Sequence, residues 1–365
     1  MTPLALQPKL LSLANTLGIR AEDPITGIRE YCVKRIQKLI RGAERSIKNI
    51  YELQKIVCEK LNLTVYEVWS GAELQQLVAS YVETDSVFAY LPTDLNDNTY
   101  GVLIRLNRRV GKHFAWAAIV DCRADKRHRR FFTTWHEIVH CITAADQYEL
   151  PFHRTIIRNK PGDPIERLVD VVAGDLGFFD PIFRPHLERE LQVAALTFET
   201  VEKVRNQFCP EASFESTLNA CIDRCESPAL LLKAAMILKS AEQAAVESPQ
   251  RELFRVPAPR RRLRVASSLR NDAARKIGLH IPRHFRIPKS SIMTRIFSAD
   301  MGTTTSGTAI ENLSLWTTSK GTHLPSVKVH VAARKVGDEV VAILTSVGGS
   351  KQNSRTLSSP AAVES

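Results

Sequence analysis

Residues 129–147, RRFFTTWHEIVHCITAADQ, constrain this chain more than any other stretch, because they place ionisable side chains inside an apolar run of helical character. His136 and His140 are four positions apart, so on a helix both imidazoles project from one face about a turn apart. Two ligands of one tetrahedral zinc require that geometry. Glu137 lies next to the first of them, where a carboxylate can take the proton of a metal-bound water and leave a hydroxide nucleophile.

The third ligand is expected downstream, in GDPIERLVDVVAGDLGFF at residues 162–179. Asp163 can cap a helix whose first residue is Pro164, and Val169, Val172, Ala173 and Leu176 mark its apolar face. Glu166 and Asp170 then share a face one turn apart, which is costly on an apolar helix unless a metal or hydrogen bonds compensate the carboxylates. One reading makes Glu166 the third zinc ligand and Asp170 the acceptor for the far nitrogen of a ligand histidine. The other has Glu166 completing a capping box with Asp163 while Asp170 faces water.

With both segments in view, residues 129–179 resemble the ImmA/IrrE metallopeptidases. RRFFTTWHEIVH is similar to the basic-aromatic-Thr stretch and catalytic helix of that family. ERLVDVVAGDL is similar to its following E-x-x-A-N-x-F-A-x-x-L helix: Glu166, Ala173 and Leu176 fit, Asp170 replaces the Asn, and Val169 and Val172 replace Ala and Phe. The Asp moves the pattern toward the ExxxD of thermolysin-like gluzincins. The resemblance implies a zinc endopeptidase, with one Zn2+ per chain and Glu137 as general base. Its substrate would be a helix-turn-helix repressor, whose cleavage switches on stress, DNA-damage or defence genes. Tyr148, His153 and His186 are near enough in sequence to supply an oxyanion donor, though each also reads as an ordinary surface or packing residue. The rival reading is a non-proteolytic nucleic-acid-binding regulator with a structural zinc; Glu137 argues against it, since a structural site needs no base beside its ligand.

Cys141 follows a ligand and Cys122 lies on the strand leading in; a thiolate reaching the zinc would silence it, while a small buried hydrophobe is the ordinary role of a free cysteine. His280 and His284 repeat the four-residue spacing, but Pro282 between them argues against a helix and hence a second metal site.

Charge is uneven. The formal surplus is +11, and residues 251–295 alone hold thirteen Lys or Arg against two acids, leaving the rest neutral. Such a block suggests an anionic partner, and Arg260, Arg261, Arg262 and Arg264 are the expected nucleic-acid contacts, with single-stranded DNA as a possible activator; a solvated Arg-rich linker is the bland alternative. Seven cysteines, odd in number and without a CxxC pair, fit a reducing compartment. No signal peptide or spanning run is evident, so a cytoplasmic protein without membrane contact is expected.

The expected fold class is α+β: a mostly helical zincin-like peptidase domain with a small antiparallel sheet, then a smaller β-rich domain similar in plan to the GAF-like sensor of the IrrE branch. Expected boundaries are an N-terminal helical segment at 1–60, the peptidase at 61–250, the sensor domain at 255–348 and a disordered tail at 349–365. Strands are expected at VFAYL, YGVLIRL and AWAAIV, and helices at PALLLKAAMILKSAEQAA and over Ala266 to Lys276. A hairpin is expected in LPSVKVHVAARKVGDEVVAILTSV, turning at Gly337-Asp338.

Overall fold

A computed structural model describes residues 7–111, 113–144, 152–155, 163–247, 259–299, 305–317, 321 and 323–347. The tail at 349–365, Tyr148 and the His153 side chain lie outside that set, as do residues 256–258 of the Pro/Arg-rich seam. The chain is mixed α+β and divides into two compact units, one of Met1–Ala194 with Glu199–Ala220, the other of Ala195–Phe198 with Cys221–Ser365. The division falls at Cys221, ahead of the Pro/Arg-rich stretch, and the N-terminal helices belong to the first unit.

The first unit opens with helices α1 Pro8–Thr16, α2 Pro24–Leu39 and α3 Ile50–Leu61. Side-chain caps set the starts of the last two: Asp23 accepts from the Ile25 amide ahead of α2, and Asn49 accepts from Tyr51 and Glu52 ahead of α3. Ile28, Cys32 and Ile36 recur every four residues as the buried stripe of α2. A four-stranded sheet follows, in the order β1-β3-β2-β4, from β1 Leu63–Val68, β2 Thr99–Val110, β3 His113–Asp121 and β4 Phe152–Thr155. It is mixed and not purely antiparallel, because β1 runs parallel to β3. Between β1 and β2 lie α4 Gly71–Tyr81, a 3-10 turn at Ser86–Tyr90 and the short α5 Leu91–Asp94. VFAYL is therefore helical and not a strand: Asp85 accepts from the Val87 amide and starts a turn, and Pro92 suits the next one.

One sheet face buries Val102, Ile104, Leu106, Ala117 and Ile119 with Leu74, Phe88 and Leu91. The other face receives α6 Arg130–Ala144, and the chain continues with α7 Pro164–Gly177, α8 Asp180–Val193, α9 Phe198–Phe208 and α10 Phe214–Arg224, the first unit ending within α10 at Ala220. None of the described helices is long and apolar enough to cross a membrane.

In the second unit, β5 Ala229–Ile237, β6 Arg262–Arg270, β7 Ser306–Asn312, β8 Lys328–Val336 and β9 Glu339–Ser346 form one antiparallel sheet in the order β6-β5-β9-β8-β7. The PALLLKAAMILK run is thus an interior strand and not a helix, and of the expected helix only the SAEQAA part is helical, within α11 Ser240–Glu247. Ala229, Leu230, Leu231, Leu232 and Ala234 are buried with no alternation, as in a strand covered on both faces, while the end at Met236 is exposed. Ala266 to Arg270 likewise belong to β6, and helix resumes only at Asp272–Lys276. Asn271, 1 % exposed, pins this corner by accepting from the amides of Ala229 and Ala274 and donating to the carbonyls of Cys225 and Ser227. The β8–β9 hairpin turns at Gly337-Asp338, where Gly337 takes the left-handed φ of 58° that a two-residue turn demands.

Candidate metal centre

Helix α6 is enclosed nearly all round: from Phe131 to Thr143 every residue is buried except the half-buried Phe132. Burying Trp135, Ile138, Val139 and Ile142 contributes about 1.5–3 kcal/mol apiece, which offsets the cost of carrying ionisable groups inside. His136 and His140 are 1 % exposed and Glu137 is fully buried. Two glycines let neighbouring backbone come close enough to seal the helix. A Cβ on Gly177 of α7 would meet Trp135 Cδ1 at 3.2 Å, and one on Gly101 of β2 would sit 2.6 Å from Glu137 Oε1.

Helix α7 starts where the sequence predicts, with the Asp163 carboxylate accepting from the Ile165 amide and Pro164 in the first turn. Glu166 is not spent on a capping box. Its Oε2 lies 3.2 Å from His136 Nε2 and its Oε1 3.3 Å from His140 Nε2, while the two Nε2 atoms are 3.0 Å apart. Asp170 Oδ1 is 2.9 Å from His136 Nδ1. A proton on Nδ1 shared with that carboxylate leaves the Nε2 lone pair facing Glu166 and His140.

The donor set was tested against zinc by its spacing. Bonds of about 2.0–2.1 Å at a tetrahedral angle hold donor atoms about 3.3–3.4 Å apart. The Nε2–Nε2 separation of 3.0 Å and the 3.2 and 3.3 Å from the two Glu166 oxygens are close to that, and two imidazole nitrogens with a carboxylate are donors zinc accepts. Among the described residues no cysteine and no other histidine joins the group. Burial pushes the Glu166 carboxyl up, but the hydrogen bonds and charge of His136 and His140 outweigh it and hold the group well below the usual carboxylate range.

Two further features position α6, and neither is signalled by the motif. Asp121, at the end of β3, is buried and receives the Arg123 side chain through Nε at 2.8 Å and Nη2 at 2.8 Å, and Lys126 Nζ at 2.7 Å. Lys126 also donates to the carbonyls of Asn96 and Thr99, so one ammonium ties the start of β2 to the end of β3 just before the helix. Arg130 begins α6 itself, where a cation opposes the helix dipole. Both oxygens of Glu67 at 2.9 Å, together with Glu211, neutralise it.

The remaining predicted residues are placed elsewhere. Cys141 is buried beside Cys58 and Arg35, and burial drives its thiol strongly upward; burial likewise pushes the buried Cys122 up to about 12. His186 packs against the Phe208 ring and is not one of the grouped donors. In the second unit Arg260, Arg261 and Arg262 are exposed, whereas Arg264 is buried, paired with Glu242 at 3.2 Å and bonded to the His284 carbonyl. Arg264 therefore departs from the expected role: a guanidinium 1 % exposed and already paired cannot meet a phosphate at the surface. The stretch containing His280 and His284 is not helical, and His284 takes a left-handed φ of 69°.

No protein-family model matches the chain, and no curated protein matches it by sequence.

Proposed function

We propose that this chain is a zinc-dependent endopeptidase of the ImmA/IrrE kind, holding one Zn2+ through His136, His140 and Glu166. The observation that carries the reading is the meeting of two imidazole nitrogens and a carboxylate oxygen within 4.8 Å, on a buried helix that also encloses Glu137. Three donors suit a catalytic site, which keeps one position open, better than a structural site, which closes with a fourth Cys or His. When bound, zinc supplies Lewis acidity, polarising a scissile carbonyl and acidifying water. Asp170 holds the His136 ring in one tautomer and orientation. Glu137 takes the proton of the attacking water on its carboxylate and passes it to the leaving amine nitrogen. The apolar enclosure of α6 limits bulk water and strengthens each of these polar contacts.

The substrate proposed is a helix-turn-helix transcriptional repressor, cut once to release stress or defence genes. The second unit, a single antiparallel sheet, is proposed as a GAF-like regulatory domain. The test is to co-express Glu137→Gln and wild type with a repressor encoded beside this gene, and to measure the metal content of both. The variant should keep about one zinc per chain and lose cleavage, because an amide cannot accept the proton. Equal cleavage by the variant, or a wild type without zinc, overturns the reading.

A further inference from the structure

The second unit holds a cavity of about 300 Å³ where β5 gives way to α11. It is lined by Arg261, Arg283, His284, Ser240 and Gln243 together with apolar residues at the end of β5. Three observations set it apart from an ordinary arginine-rich surface. First, the guanidinium groups of Arg261 and Arg283 have no hydrogen bond or ion pair among the described residues, although both line the cavity. Second, Arg264 is 1 % exposed and is bonded through Nη1 to the carbonyl of His284, while its Nε is buried without a hydrogen-bond partner among the described residues. Third, His284 adopts a left-handed φ of 69°, and its Nδ1 is likewise buried and unpartnered among the described residues. A non-glycine residue in that region costs about 1 kcal/mol or more and persists where the surroundings fix it.

The electrostatics agree. Burial, and then the charges of Arg283 and Arg264, push the His284 imidazole below its ordinary range. Among the described residues Arg261, Arg264, Arg283 and Arg286 converge on this corner against the carboxylate of Glu242, which pairs with Arg264. A concave site with surplus positive charge concentrates anions. Guanidinium forks match carboxylate and phosphate oxygens alike, but a dianion answers this surplus better than a monoanion. The volume lies at the lower end for small-molecule sites, room for a phosphate with a sugar or base and not for a run of nucleotides.

We propose that this cavity binds a small phosphomonoester of mononucleotide size, with Arg261 and Arg283 on the phosphate oxygens and His284 Nδ1 as a further donor. The proposal does not depend on the zinc site. Calorimetric titration of the full chain with AMP, adenosine, inorganic phosphate and an unphosphorylated single-stranded oligonucleotide tests it. AMP and inorganic phosphate should compete for one site, and adenosine should not bind. Arg261→Gln and Arg283→Gln should each weaken AMP by about tenfold to a hundredfold, the range for one charge-assisted hydrogen bond, with melting temperature and zinc content unchanged. His284→Asn, which tolerates the left-handed backbone, should weaken AMP in the same direction without unfolding the chain. Absence of AMP and phosphate binding at millimolar concentration and low salt overturns the proposal, as does binding unaltered in all three variants. Tighter binding of the oligonucleotide than of AMP, lost in the same variants, would replace it with a nucleic-acid interface.

Discussion

Gly101→Ala is the change whose consequence follows most directly from the geometry. The new Cβ would stand 2.6 Å from Glu137 Oε1 and 2.8 Å from Thr133 Cγ2, and real Cβ contacts under 3.0 Å essentially never occur. The carboxylate must therefore retreat by at least about 0.4 Å, or β2 must move off α6 by a similar distance. Overpacking of this kind costs about 1–3 kcal/mol, and removing a strand glycine returns about 0.5–1 kcal/mol, so a net loss of about 1–2 kcal/mol is expected. Activity should fall more than stability. Misplacing a reacting group by about 1 Å costs about a hundredfold, and a shift of half that points to roughly a tenfold loss in kcat. The assays are thermal melting with and without chelator, zinc content, and the rate of repressor cleavage. Zinc content should stay at the wild-type level, since Gly101 touches Glu137, the proposed base, and not the three proposed donors. Thr133→Ser, which removes Cγ2, should recover part of the stability in the double variant. A Gly101→Ala protein with wild-type melting and wild-type turnover would refute the close packing of β2 on Glu137.

Asp170→Ala should keep the fold and lower zinc affinity about 10–100-fold in a chelator competition, because His136 loses the acceptor that fixes its tautomer. Burial pushes Asp121 up, but Arg123 and Lys126 reverse this and hold its carboxyl below the ordinary aspartate range, so its stabilisation is present above the unfolded pKa and lost as pH falls through the folded one. Denaturant midpoints of wild type and Asp121→Asn should accordingly differ most above about pH 4 and converge as the solution is acidified. Asn271→Ala should cost about 2–4 kcal/mol in urea unfolding, since it strands the carbonyls of Cys225 and Ser227 ahead of β5 and the amides of Ala229 and Ala274.

The elements legible in the sequence were those whose signals are local. Asp163-Pro164 begins α7, and Gly337-Asp338 turns the β8–β9 hairpin, because a cap or a tight turn is decided within four residues. The misread ones depend on partners far along the chain. Alanine and leucine in Ala229–Ile237 favour helix in isolation, and only pairing with β6 and β9 makes the strand win. The stretch after Val265 fails as a helix for the same reason, with Leu269 opposite Leu231 and Ser268 opposite Leu232 in the ladder. VFAYL has β-type composition, yet Asp85 engages its first amide and also accepts from Asn107 on β2, an interaction across more than twenty residues.

At the metal centre the division between legible and hidden follows chemistry more than distance. His136, Glu137, His140, Glu166 and Asp170 can be picked out because ionisable groups placed at helical spacing in apolar runs ask for compensation, so each is conspicuous in the sequence. Gly101 and Asp121 serve the same centre without being conspicuous. A glycine within YGVLIRL is a weak sign of close backbone approach, and an aspartate after AWAAIV reads as an ordinary strand end. Their roles exist only once β2 and β3 lie under α6, where the missing Cβ makes room for the Glu137 carboxylate and the Asp121 carboxylate gathers two cations. Substituting a motif residue should therefore remove metal or chemistry outright, whereas substituting these two should leave the donors in place and shift the groups around them. That contrast in zinc content and turnover would separate the residues proposed to hold the metal and perform the reaction from those that hold them in position.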